Sequence, residues 1–89
     1  MNLYCLTLWQ IAILLYSSKG HVITSSPDRS GAVRRYVFDL KGDYLHVDRR
    51  SCIQLIELRL LGKRSNGIYK HHRITALGIA HIAQYQQIA

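Results

Sequence analysis

The chain has 89 residues, 48% of them apolar, a formal net charge of +7 and two cysteines. That length admits one small domain at most, and so short a chain buries only a modest fraction of its surface on folding. With Cys5 inside an N-terminal apolar run that is expected to be removed, an internal disulfide framework is excluded, and Cys52 is left free or to pair between chains.

Charge is unevenly placed. All twelve Lys and Arg lie at or after Lys19, and the region after Gly20 holds eleven of them against five acids, an excess of six. From Arg59 onward every charged residue is positive. Such an excess suits nucleic acid or an anionic membrane, or else basic residues that serve as protease recognition sites.

Taken in chain order, Leu3 to Tyr16 carries no charge and only Thr7 and Gln10 as polar interruptions, the length of a secretory h-region. It is short for a membrane span, which needs about 20 apolar residues. Ser18 and Gly20 supply the small side chains a signal peptidase requires, so residues 1–20 read as a signal peptide cut after Gly20. The n-region lacks Lys and Arg, and the alternative is a retained anchor helix.

Residues 21–35 hold Ser25, Ser26, Pro27, Asp28, Ser30 and Gly31 in one cluster, which is turn chemistry and reads as a spacer. Residues 36–50 contain two alternating apolar pieces around Lys41, Gly42 and Asp43, a weak hairpin with its turn at Gly42 and Asp43. Residues 51–64 begin with a weak helix over Ser51 to Leu61, whose stripe is spoiled because Arg59 falls on the face of Cys52 and Ile56. In residues 65–89, Ile74, Leu77, Gly78, His81, Ile82, Tyr85 and Ile88 share one face at helical spacing, an amphipathic helix. Such a stripe commonly faces a core, but no segment of the sequence presents itself as its partner.

Basic doublets stand at Arg34–Arg35, Arg49–Arg50 and Lys63–Arg64. Composition alone predicts about 1.6 such pairs, but only about 0.1 occurrences of Gly62-Lys63-Arg64. Prohormone convertases accept two adjacent cations from an extended, locally unfolded strand through acidic subsites. After removal of Lys63 and Arg64, Gly62 would donate its nitrogen to amidate Leu61, removing a carboxylate from a helix C-terminus where negative charge is unfavourable.

The residues following that site, Ser65, Asn66, Gly67, Ile68 and Tyr69, resemble the opening of pituitary adenylate-cyclase-activating peptide in the secretin and glucagon superfamily. The precursor layout resembles that of insect preproneuropeptides of the amnesiac type. The resemblance implies a receptor-binding helix, with Ser65, Asn66, Gly67, Ile68, Tyr69, Ile74, Leu77, Ile82 and Tyr85 facing a cell-surface receptor of the G protein-coupled class. The activating N-terminal His of that family is absent, since Arg64 precedes Ser65, and no amidation signal follows Ala89.

The expectation from sequence is therefore a secreted, mostly disordered neuropeptide or hormone precursor with a signal helix, a C-terminal amphipathic helix and no compact globular fold. Its partners would be signal peptidase, a prohormone convertase, the amidating enzyme and a receptor. No Gly-rich phosphate loop, nucleophile elbow or usefully spaced acid pair points to an enzyme or a cofactor. His71, His72 and His81 lack the Cys or carboxylate neighbours of a metal site. The alternatives are a small single-pass membrane protein with a basic tail and a small basic nucleic-acid binder. No nucleic acid is expected as a partner, because the C-terminal helix carries no array of Lys and Arg, which makes the binder the weaker of the two alternatives.

Overall fold

Helix α1, Leu8–Ser18, opens on a capping box. The Thr7 hydroxyl accepts from the Gln10 amide at 3.1 Å, and Gln10 Oε1 accepts from the Thr7 amide at 3.0 Å. The same Gln10 side chain donates to Gln54 Oε1 at 2.7 Å and so ties α1 to a helix 44 residues away in sequence. The helix stops at Lys19, and Gly20 follows with φ +100°, a conformation that favours glycine just past a helix end. The computed structural model describes residues 5–86 in this way; Leu3, Gln87, Ile88 and Ala89, which figured in the expected apolar run and C-terminal helix, lie outside the described residues.

Five strands follow in a single sheet: β1 (Ile23–Pro27), β2 (Arg34–Leu40), β3 (Asp43–His46), β4 (Arg64–Asn66) and β5 (Tyr69–His72), in spatial order β3-β2-β1-β5-β4. Every neighbouring pair is antiparallel. Helix α2 (Arg49–Glu57) separates β3 from β4, and α3 (Ala76–Gln86) closes the chain.

The helices share one buried cluster with one face of the sheet. Ile13 and Leu14 of α1, Ile23 of β1, Tyr36 and Phe38 of β2, Cys52 and Leu55 of α2, Leu60 and Leu61, and Ile82 of α3 form it. Tyr16 packs edge-on against Phe38 at 5.0 Å between ring centroids. Full burial of a large apolar side chain is worth about 1.5–3 kcal/mol, so this cluster is the main source of stability.

The expectation of a mostly disordered precursor without a compact fold does not hold. Its error lies in the N-terminal run, which is the apolar layer that the other amphipathic segments need. The stripe of α3 is core-facing: Gly78, His81 and Ile82 are buried and Leu77 and Tyr85 half-buried. The missing partner element is α1, which α3 contacts directly.

The segment expected to be a spacer contains β1, the central strand. The weak hairpin is present, with its two-residue turn at Lys41 and Gly42, both at positive φ (49° and 102°), as hairpin twist requires. The weak helix becomes α2, started by Asp48, whose carboxylate accepts from the Ser51 amide at 2.9 Å and hydroxyl at 2.7 Å. Arg59 does not spoil its stripe, because the helix ends before it and Arg59 itself turns the chain at φ 62°.

The last helix is seated by Thr75, whose hydroxyl accepts from the Gly78 amide at 3.0 Å and donates to the Arg59 carbonyl at 2.6 Å. Gly78 is required by close approach. A Cβ built there would collide with the Leu60 carbonyl oxygen and lie 2.7 Å from Ile74 Cγ1.

Candidate functional site

Strand pairing decides which side chains leave the core. The register aligns Ile23 with Phe38 and His72, and Ser25 with Tyr36 and Lys70, on the helix-facing side. Alternation then sends Thr24, Ser26, Arg35, Val37 and Asp39 to the opposite face. Continuing outward, Val37 pairs with His46 and Asp39 with Tyr44, while Thr24 pairs with His71. His71 pairs in turn with Arg64, and Tyr69 with Asn66.

Thr24, Ser26, Arg35, Val37, Asp39, Tyr44, His46, Asn66, Tyr69 and His71 line a groove of about 580 Å³ on this open face. A second groove of about 600 Å³, lined by Gly62, Lys63, Arg64, Ser65, Asn66, His71 and Arg73, shares Asn66 and His71 with it. Together they form one surface, with Arg35, Arg64 and Arg73 as fixed cations and Asp39 as the lone carboxylate, while Lys63 stands at its rim with the strand parity of Ser65. Tyr44 is 67% exposed and Tyr69 49% exposed on this face. Arg35 Nη2 stands 3.5 Å from His46 Nε2, and the Thr24 hydroxyl 3.5 Å from His71 Nδ1.

Beneath this surface lies a buried polar network. His72 Nδ1 donates to the Gly62 carbonyl at 3.0 Å; a carbonyl only accepts, so the ring proton sits on Nδ1. Nε2 therefore accepts from the Ser25 hydroxyl at 2.9 Å, and the Ser25 oxygen in turn lies 3.4 Å from Arg34 Nη1. Burial, reinforced by the charges of Arg34, Lys63 and Lys70, holds the His72 imidazole below its ordinary pKa despite the Gly62 bond. The Cys52 thiol, buried and near Asp48, is pushed up to about 12.

The residues singled out from the sequence fall in several places. Ser18 and Gly20 form the end of α1, where the Ser18 hydroxyl donates to the Leu15 carbonyl at 2.6 Å. Arg34 is half-buried and donates to the Ser25 and Ile68 carbonyls, whereas Arg35 points to the open face. Arg49 and Arg50 are exposed in the first turn of α2. Leu61 is buried and bridges to Ile74, and the Gly62 amide donates to the Arg73 carbonyl at 2.7 Å. Lys63 and Arg64 are exposed at the start of the edge strand β4.

Ser65, Asn66, Gly67, Ile68 and Tyr69 form a β-hairpin, with Gly67 at φ +64°, and not the opening of a helix. Ile74, Leu77, Ile82 and Tyr85, the rest of the expected receptor face, are buried or half-buried. The fold thus gathers Arg35, Arg64, Asn66 and Tyr69 from that set onto one surface. It adds Thr24, Ser26, Tyr44, His46 and Arg73, which sequence reasoning passed over, and His71, which it weighed only as a metal ligand. Their signal was the period-two alternation of Arg35, Val37 and Asp39, legible only once β2 is known to be a sheet strand with one face uncovered.

Among the described residues no helix is long and apolar enough to cross a membrane. No family model, curated protein or solved structure matches this chain.

Proposed function

We propose that the chain binds nucleic acid through the open face of its sheet. The observation that carries this reading is the composition of that uncovered face: three fixed cations, two exposed tyrosines and hydroxyl and amide groups around a single carboxylate. Phosphates supply most of the contacts in such complexes and are met by Arg and Lys, while aromatic rings on a sheet stack exposed bases. The array of cations missing from the C-terminal helix is present on the strands. The net charge of +7 adds long-range attraction to a polyanion.

Electrophoretic or fluorescence binding to single-stranded and duplex oligonucleotides, at several salt concentrations, tests it. Arg35→Gln should weaken binding and reduce the slope of log affinity against log salt by about 1. Affinity independent of salt, or unchanged in Arg35→Gln and Arg64→Gln alike, would remove the proposal.

A second reading, the secreted peptide precursor, is favoured by one observation: Gly62-Lys63-Arg64 leads into an exposed edge strand of only three residues. Processing there is compatible with the fold only if the chain opens, because the cut after Gly20 would remove Ile13 and Leu14 from the core. Mass spectrometry of exported material decides it: an intact N-terminus and uncut Lys63–Arg64 junction would discard secretion with processing, and a Leu61 amide would establish it.

A further inference from the structure

We infer that Arg34, Lys63 and Lys70 form a binding site for a dianionic phosphate group, on the helix-facing side of the sheet and separate from the open face. Strand alternation puts Lys70 on the side of Ser25 and Ser65, its register partners, and opposite in sense to His71 and Tyr69. Arg34, the partner of Pro27 at the end of β1, reaches across β1 to the β4–β5 turn, with Nη1 3.2 Å from the Ser25 carbonyl and 3.3 Å from the Ile68 carbonyl. All three of its bonds to protein acceptors run from Nη1. The guanidinium is therefore fixed in place with Nε and Nη2 still able to donate.

The cluster is electrostatically frustrated. Lys63, two residues before Ser65, falls on the same side as Lys70, and its proximity, followed by desolvation and the charge of Arg34, holds the Lys70 ammonium below its ordinary pKa. No carboxylate is among the groups acting on Lys70, and Glu57 is the last acid in the sequence. The charges of Arg34, Lys63 and Lys70 also act on His72. Like charges held together without a counter-charge are costly for the free protein, and an anion entering among them relieves that cost while gaining charge-assisted hydrogen bonds. Ser65, exposed and paired with Lys70, adds a hydroxyl donor on the same side.

Three converging cations fit a group of about two negative charges better than a phosphodiester, which carries one. Inorganic phosphate and phosphate monoesters have that charge near neutral pH. The site is independent of the nucleic-acid reading, whose cations Arg35, Arg64 and Arg73 belong to the open face and its edge.

Thermal unfolding of the full chain at pH 8, in inorganic phosphate against sodium chloride of equal ionic strength, tests the assignment. Phosphate should raise the midpoint beyond the chloride control. Lys70→Gln should raise the starting midpoint, because one of the repelling charges is gone, yet weaken phosphate affinity about tenfold; Lys63→Gln should do the same. Arg35→Gln should leave the phosphate response intact. An equal rise with O-phosphoserine supports the site and extends it to esterified groups, and a rise with inorganic phosphate alone supports it for the free ion. A phosphate effect no larger than that of chloride, a full response in Lys70→Gln, or loss of the response in Arg35→Gln would overturn the site.

Discussion

His72 Nε2 accepts from the Ser25 hydroxyl at 2.9 Å across the β1–β5 pair, and this contact joins the central strand to the β4–β5 pair formed after α2. Both residues are buried, and in the neutral form both ring nitrogens are satisfied, Nδ1 donating to the Gly62 carbonyl and Nε2 accepting from Ser25. Protonation would put a second donor against a hydroxyl that already faces Arg34.

This has a consequence for acid stability. Burial holds the folded pKa of His72 below its ordinary 6.5, so in the interval between the two values the unfolded chain binds the extra proton. The stabilisation is complete above about pH 6.5 and is lost as pH falls toward the folded value. Urea unfolding at pH 8 and pH 5.5 should show the loss in the wild type and a smaller one in His72→Gln. An equal pH dependence in the two proteins would rule out His72 as the source.

Gly78→Ala distinguishes a folded domain from a free helical peptide. In an isolated helix the change gains about 1 kcal/mol. In the folded chain the new methyl meets the Leu60 carbonyl oxygen and Ile74, and backbone cannot yield as a flexible side chain does. We expect a net loss of about 1–3 kcal/mol by chemical denaturation. Stabilisation of the full chain would contradict the α3 packing.

Helix α1 is integral to the fold. Ile13 and Leu14 are 5% and 0% exposed, and Gln10 bonds Gln54 of α2. A chain beginning at His21 should lose its cooperative unfolding transition, and Leu14→Ala in the full chain should cost about 2–5 kcal/mol. A truncated chain with the same amide dispersion and melting transition as the full one would sink this claim.

The two thiols should react at very different rates. Cys5 is exposed, whereas Cys52 is buried with its pKa pushed up to about 12. Because the thiolate is the nucleophile, iodoacetamide at pH 8 should label Cys5 within minutes and Cys52 only through unfolding. Denaturant should remove the difference. Comparable rates in native conditions would mean that the core around α2 is open.

Tyr44 and Tyr69 carry the stacking part of the proposed interface. Tyr69→Ala should cost single-strand affinity about 1–3 kcal/mol with little change in stability, since the ring is half exposed. Its salt slope should match that of the wild type, in contrast to Arg35→Gln. Unchanged affinity in both tyrosine variants would confine recognition to the cations.

Local signals were sound where a few neighbouring residues decide the conformation. The hairpin was legible, although its turn falls at Lys41-Gly42 and not at Gly42-Asp43, and so was the stripe through Leu77, Gly78, His81 and Ile82, because turn geometry and periodicity are local physics; the Asp48 cap on Ser51 is equally local but was not read from the sequence. What those segments do with one another was not local. The charge-free run Leu3 to Tyr16 has the composition of an export signal and equally of a core helix, and the contacts of α1 with α2 and α3 are what no reading of that composition supplies. Ser25 and Ser26 have the composition of a loop. Burial of Ser25 is tolerable because His72, 47 residues away, accepts a hydrogen bond from its hydroxyl, a partner that no window along the sequence contains. The open face follows from the same cause: the doublet Arg34–Arg35 is identical in composition at both positions, and strand pairing turns one guanidinium toward the phosphate cluster and the other toward the groove.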